Sequence, residues 1–187
     1  MEYKNLIAII DELKRFAEEV KQEDIDRATE FILKAKNIFV AGAGRSGCAA
    51  RGFVIRLLHL GFPVHFVGEC SAPPIKKGDL LVIGSGSGRT TQLVTYAQKA
   101  KAVGAEILTV TISPQNTIGQ MADAIITLPG TTRLNDAAAN KKSGSIQPVG
   151  SMFEQLSFLT YDALVLTLME KTKQTNDDLI SRHANLE

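Results

Sequence analysis

The sequence contains few of the residues that build disulfide frameworks and metal clusters. Its 187 residues include two cysteines, Cys48 and Cys70, and three histidines that are isolated from one another. So small a cysteine content excludes a disulfide-rich scaffold and predicts buried, unpaired thiols in a reducing compartment. Isolated histidines do not match the ligand spacing of zinc sites, so we expect no metal ion.

An excess of charge and a long apolar run are also absent. The formal net charge is +1, which gives no general attraction to nucleic acid or to an anionic membrane. The longest apolar stretch, Ala163–Met169, is interrupted by Thr167 and is too short to cross a bilayer. The N-terminus alternates acids and bases, unlike a signal peptide. We therefore expect a cytoplasmic protein without nucleic-acid or membrane partners.

What the chain does have is a globular composition and a change of hydrophobic period along its length. Hydrophobic residues make up 44% and charged residues 22%, and the length suits one domain, 1–187. Residues 1–36 show the spacing of two amphipathic helices, and 172–187 form a polar tail. Between them, 37–171 alternates short β-rich runs with helical segments. This alternation predicts an α/β fold, a three-layer α-β-α sandwich around a parallel sheet.

The central region contains five predicted strands, each a short apolar run. They are Asn37–Gly42, Val64–Val67, Asp79–Gly84, Glu106–Thr111 and Ala124–Leu128. Helices are predicted at Cys48–Leu60, from the end of the SGSGRT turn to about Ala102, and at Ser151–Lys171. Residues 129–150 are polar and aperiodic, and a long loop in a small domain often carries function.

Two of the predicted strands end in turns rich in glycine and hydroxyl groups. AGAGRSG spans 41–47 and SGSGRT spans 85–90, and each leads into a helix. A helix N-terminus offers unpaired N–H groups and partial positive charge, glycine allows close approach, and Arg45 and Arg89 add charge. Because ligands bind beyond the carboxyl ends of parallel strands, the two turns together favour a phosphate-bearing ligand.

Two other interpretations of these turns must be weighed. Gly42, Gly44 and Gly47 also fit the dinucleotide motif GxGxxG, and Glu69 follows the second strand where a ribose-binding acid would lie. The lack of a second domain for a hydride acceptor and the presence of a second glycine-rich loop disfavour that interpretation. SGSGRT by itself can also be a plain strand-to-helix connection.

The two turns and several other segments resemble the 6-phospho-3-hexuloisomerases of the sugar isomerase (SIS) domain family. The similarity covers essentially the whole chain. The segments that carry it are AGAGRSG at 41–47, RLLHLGF at 56–62, VGE at 67–69, GDLLVIGSGSGRT at 78–90, PVGSMFEQ at 148–155 and RHANLE at 182–187. SGSGxT is shared across the wider family, whereas the GSMFEQ and HANLE segments are the more specific signals.

The resemblance implies a flavodoxin-like, five-stranded SIS fold and an activity. The expected reaction converts D-arabino-hex-3-ulose 6-phosphate to D-fructose 6-phosphate in the ribulose monophosphate pathway, after formaldehyde has been fixed. The resemblance also implies a homotetramer with sites at subunit contacts and no cofactor. By this resemblance the proton acceptor is Glu154, and the phosphosugar contacts are Ser46, Ser85, Ser87 and Thr90, to which we add their neighbours Arg45, Gly86, Gly88 and Arg89.

Three further assignments stay open at this point. Ser151-x-x-Glu154 is also a capping box, in which Glu154 would only satisfy the helix start. His59 and His183 are candidate acids or hydroxyl ligands, although His59 also suits a structural role at a helix end. His183 lies in the tail. We expect the tail to dock against the protein, and one possible docking place is the site of a neighbouring subunit. Alternative functions are another phosphosugar isomerase and a non-catalytic phosphosugar sensor.

Overall fold

Five parallel strands form the sheet of the computed structural model, which describes residues 3–131 and 145–186. The strands are β1 Ile38–Gly42, β2 Val64–Phe66, β3 Leu80–Gly84, β4 Glu106–Thr111 and β5 Ala124–Thr127, in the order β2-β1-β3-β4-β5. The helices are α1 Lys4–Ala17, α2 Gln22–Lys34, α3 Gly44–His59, α4 Thr91–Ala102, α5 Ser151–Thr172 and α6 Asn176–Ser181, with a 3-10 turn at Gly119–Met121. The predicted three-layer α/β fold is confirmed.

The sheet is buried on both faces, which explains why its strands are continuous apolar runs. Side chains alternate along a strand, so Ile38 and Val40 of β1 pack into one core and Phe39 and Ala41 into the other. The first core contains residues of α1, α2, α3 and α5, and the second contains residues of α4. The central strands β1, β3 and β4 are therefore held by apolar burial from two sides, and the edge strands β2 and β5 pack into the first core.

The connections change direction between β1 and β3, which are neighbours in the sheet. From β1 the chain runs through α3 to β2 on one side, and from β3 it runs through α4 to β4 on the other. Gly42 and Gly84, the last residues of the two strands, lie opposite each other in register. Ligands bind at such a topological switch point in open α/β sheets.

Three local expectations need correction. Helix α3 begins at Gly44, not at Cys48, because the N–H groups of a first turn need no helical partner and small residues there are tolerated. Cys48 and Cys70 are unpaired as expected, but both are exposed, Cys48 because it lies on the outer face of α3. The polar tail contains a short helix, α6, which Thr175 and Asp178 cap reciprocally.

Membrane-spanning helices are not found among the described residues: none there combines the length and the apolar character that a bilayer requires. The predicted loop at 129–150 is described only at its two ends, and 132–144 lie outside the described residues.

Candidate active site

A cavity of about 370 Å³ opens where β1 and β3 end. This volume is in the range of small-molecule sites. The residues lining it are Ala43, Arg45, Ser46, Gly84, Ser85, Gly86, Ser87, Thr90, Leu93, Val149, Gly150, Phe153 and Glu154. The cavity therefore contains residues of both glycine-rich turns and of the first turn of α5, which are far apart in the sequence.

The loop after β3 is a preformed turn with its serines turned inward. The Ser85 hydroxyl accepts a hydrogen bond from the Gly88 N–H at 3.2 Å, and the Ser87 hydroxyl accepts one from the Arg89 N–H at 3.3 Å. The Ser85 N–H donates to the Val110 carbonyl of β4 at 3.0 Å. These bonds fix the shape of the loop.

A buried polar network formed by residues at and after the end of β4 also holds this loop in place. The Thr111 hydroxyl donates to the Gly86 carbonyl at 3.3 Å, and the Asn116 amide donates to the Thr111 hydroxyl at 2.6 Å. The Ile118 N–H donates to the Gly88 carbonyl at 3.1 Å. Thr111 and Asn116 were not predicted from the sequence, where the only signal is that β4 ends in a polar segment, TISPQN.

Three helices begin at this cavity. Ser46 lies in the first turn of α3, Thr90 is the N-cap of α4, and Gly150 is the N-cap of α5. Each helix start contributes partial positive charge and N–H groups, so their convergence favours an anionic ligand.

Glu154 and Arg45 form an ion pair in the lining of the cavity. The Arg45 Nε donates to a Glu154 carboxylate oxygen at 2.5 Å. The Glu154 side chain is 19% exposed, whereas that of Arg45 is 67% exposed. The carboxylate is therefore held in place by a guanidinium group that itself has room to move.

The capping-box interpretation of Glu154 is wrong in this structure. The N-cap of α5 is Gly150, with a positive φ of 92° and without a side-chain cap, so Ser151 already lies inside the helix. The Ser151 N–H donates to the Pro148 carbonyl and not to Glu154. The Glu154 side chain is thus available to face the cavity.

Not every residue singled out from the sequence reaches the cavity. Arg89 is exposed and is not among the lining residues, and Gly88 lies behind the loop against Asn116. Glu69, the candidate ribose-binding acid, instead pairs with Arg51 at 3.2 Å outside the cavity. Six lining residues were not predicted as site residues: the small Ala43, Gly84 and Gly150 and the larger apolar Leu93, Val149 and Phe153.

His59 and His183 lie together at the opposite end of α3. Their ring centroids are 4.9 Å apart, and Arg182 holds the tail there by donating to the His59 carbonyl at 2.9 Å. A helix rises about 1.5 Å per residue, so His59 lies roughly 21 Å along α3 from Arg45. The tail does dock, but within one chain it does not bring either histidine to the cavity.

Comparison with known proteins places these features in a family. The SIS domain model matches residues 31–146. A protein of Bacillus subtilis named 3-hexulose-6-phosphate isomerase is 44% identical over 96% of this chain and 95% of its own length. One of the same name from Mycobacterium gastri is 36% identical over 98% and 90%.

A solved structure leads to the same family. The crystal structure of a Methanococcus jannaschii protein, for which a 3-hexulose-6-phosphate isomerase function was inferred, superposes with a TM-score of 0.80 at 32% identity. The match covers 98% of this chain and 99% of that one. The chain belongs to the SIS domain family.

Proposed function

We propose that the protein isomerises D-arabino-hex-3-ulose 6-phosphate to D-fructose 6-phosphate in the ribulose monophosphate pathway. The observation that carries the proposal is one cavity that combines a serine-rich anion site with the carboxylate of Glu154. Relatives that are 36% and 44% identical over nearly the whole chain bear the name of this isomerase.

The phosphate of the substrate binds to the loop after β3. Ser85, Ser87 and Thr90 line the cavity there, and α4 begins at the end of the same loop. Hydroxyl donors, loop N–H groups and the start of a helix form a complementary environment for a compact dianion. Ser46, in the first turn of α3, is the contact from the other loop.

Glu154 is the proposed base. The reaction moves the carbonyl group from C3 to C2, so the proton on C2 must leave and a proton must return to C3. A carboxylate beside both carbons removes the C2 proton and an enediolate forms. The proton of the C2 hydroxyl passes to the oxygen on C3, and the resulting carboxylic acid returns its proton to C3. The apolar Phe153 and Val149 border the carboxylate's side of the cavity and limit the access of water.

Arg45 has two partners in this scheme. One is the Glu154 carboxylate, with which it forms an ion pair at 2.5 Å. With substrate bound, its exposed guanidinium turns to the phosphate or to an oxygen of the enediolate, where a positive charge stabilises developing negative charge. The base is thereby released when the sugar arrives.

We also propose a homotetramer in which active sites lie at subunit contacts. Large apolar side chains are exposed on three helices: Leu6, Ile7 and Ile10 on α1, Ile55 and Leu58 on α3, and Phe158, Leu159 and Leu166 on α5. These three helices contribute to the same core on one face of the sheet, and large exposed apolar side chains concentrated in one layer favour an interface. In such an assembly, His183, which is exposed, would reach the cavity of a neighbouring subunit, and the buried His59 beside it would position its ring.

Sedimentation should therefore give the mass of four copies of the 20.2 kDa chain at micromolar concentration. Leu166→Glu should lower that mass, because it places a charge on the exposed apolar face of α5. Val103→Glu is the matched control, since Val103 is 47% exposed beside α4 in the opposite layer. A parental chain that sediments as a monomer would contradict the assembly.

A chelator should leave the activity intact. Among the described residues no group of three or more acidic, histidine or cysteine side chains is placed to hold a metal ion, and Glu154 is the carboxylate lining the cavity. We expect kcat in excess EDTA to stay within about twofold of the untreated value. Loss of activity that a divalent cation restores would reveal a metal site.

The reaction takes place in the cytoplasm in this proposal. Cys48 and Cys70 are both exposed and unpaired. Exposed free thiols suit a reducing compartment.

A coupled assay tests the function directly. The purified protein is supplied with hexulose 6-phosphate, and the appearance of fructose 6-phosphate is followed. Arabinose 5-phosphate is the control substrate for the alternative isomerase, and turnover of that sugar alone would move the assignment to it. Tight binding of a phosphosugar without any turnover would instead support the non-catalytic sensor.

A further inference from the structure

Helix α1 contains a buried carboxylate, that of Glu12, which the proposed reaction does not use. Glu12 is 6% exposed. It accepts three hydrogen bonds from one short segment: from the Ser145 hydroxyl at 2.7 Å, the Ile146 N–H at 2.7 Å and the Gln147 amide at 3.0 Å. Helix α1 lies before residue 31, where the match to the SIS domain model begins.

The segment that Glu12 holds leads directly into the wall of the cavity. Two residues after Gln147 come Val149 and Gly150, which line the cavity. The Gly150 carbonyl accepts a hydrogen bond from the Glu154 N–H at 3.0 Å. The position of the segment therefore helps to fix the first turn of α5. Glu12 is thus linked to the base through a short run of ordered backbone.

The surroundings of Glu12 keep it ionised. Burial by itself would raise its pKa, but the hydrogen bonds from Ile146, Ser145 and Gln147 and the charge of Arg15 lower the pKa below its ordinary value. Asp11 and Arg15 are the charged groups that border the same recess as Glu12. A carboxylate is the group that can accept from all three donors, since an amide would turn one N–H group toward a donor.

We propose that Glu12 is a positioning residue of the active site. It fixes the position of Val149 and Gly150 in the cavity lining and thereby the orientation of the Glu154 side chain. The catalytic half of this inference rests on the proposed isomerase function. The structural half, that the Glu12 carboxylate orders 145–150 and the start of α5, does not.

The test compares Glu12→Gln with Asp11→Asn, its exposed neighbour on α1, which loses the same charge. Hydrogen exchange and steady-state kinetics are measured well below the melting temperature of each variant. In Glu12→Gln we expect the amides of Ile146 and of 150–154 to exchange at least about tenfold faster, because a charge-assisted anchor is lost. We expect kcat/KM to fall by about tenfold or more, while Asp11→Asn stays within about twofold on both measures.

Parental exchange and parental kcat/KM in Glu12→Gln would overturn the proposal, as would equal effects in both variants. A lower melting temperature with unchanged kcat/KM would show a purely structural role and would also overturn it. If Glu12→Gln does not fold, Gln147→Ala tests the proposal instead, because it removes one of the three donors to the Glu12 carboxylate. Hydrogen exchange and kcat/KM are measured for it in the same way. If the parental protein does not turn over hexulose 6-phosphate, the proposed function fails, and the exchange data alone still decide whether Glu12 orders this wall.

Discussion

Glu154→Gln is expected to lower kcat by about 10²–10⁴-fold and to leave folding and ligand affinity nearly unchanged. An amide cannot accept the C2 proton, so base catalysis is lost outright. Its oxygen can still accept the hydrogen bond from Arg45, whose side chain is 67% exposed. Loss of so exposed an ion pair costs about 1 kcal/mol of folding free energy or less.

Three measurements separate catalysis from structure in this variant: the melting temperature, the affinity for fructose 6-phosphate, and hydrogen–deuterium exchange into the substrate carbon. Glu170→Gln is the matched control, because Glu170 is an exposed carboxylate near the other end of the same helix. Parental exchange of the substrate proton in Glu154→Gln would mean that the base lies elsewhere. His183 of a neighbouring subunit would then be the next candidate, since imidazole is the side chain that most often serves as a general acid or base in enzymes.

The strands were the most predictable part of this fold. β3 is apolar through Leu80–Ile83, and such a run is possible only when helices cover both faces of a parallel sheet, so composition and architecture agree. The pairing of the two glycine-rich turns follows from the same logic. Parallel strands end at one edge, which brings Ser46 and Ser85 to one cavity although they are far apart in the chain.

The contacts that complete the site were not predictable from local pattern. Arg45 and Glu154 are 109 positions apart, and Glu12 is 134 positions from Ile146. Helical periodicity places Glu12 nearer than Asp11 to the apolar face of α1, but it does not identify the distant segment that Glu12 contacts. The capping-box alternative failed for a similar reason, since the helix start was set by the turn at Gly150 and not by Ser151.

Gly88→Ala is expected to disrupt the phosphate loop, with a loss of folding free energy of roughly 2–5 kcal/mol and of most phosphosugar binding. Two costs add. Gly88 has a φ of +58°, a left-handed conformation that costs an alanine about 1–2 kcal/mol. A Cβ there would also lie 1.9 Å from the buried Asn116 side chain, so the loop or the network below it must move.

Gly44→Ala separates the two costs, because Gly44 has nearly the same φ, +57°, but a Cβ there would meet nothing within 4 Å. Gly44 is also outside the cavity lining. Urea unfolding and fructose 6-phosphate binding are measured for both variants. Gly44→Ala should lose only the conformational cost of about 1–2 kcal/mol and keep its ligand. Equal losses in the two variants would mean that the contact with Asn116 has no effect.

The double variant Gly88→Ala with Asn116→Ala tests the contact itself. The three atoms nearest to the added Cβ all belong to the Asn116 side chain, so its removal vacates the space that the alanine needs. Asn116→Ala alone should be harmful, because Thr111 and the Gly119 N–H lose a hydrogen-bond partner. The two changes share one cause of damage, so the double variant should lose less than the sum of the singles, with a coupling of about 1 kcal/mol or more. Strict additivity in urea unfolding would show that the steric contact does not set the loop, and the loss in Gly88→Ala would then be one of backbone conformation alone.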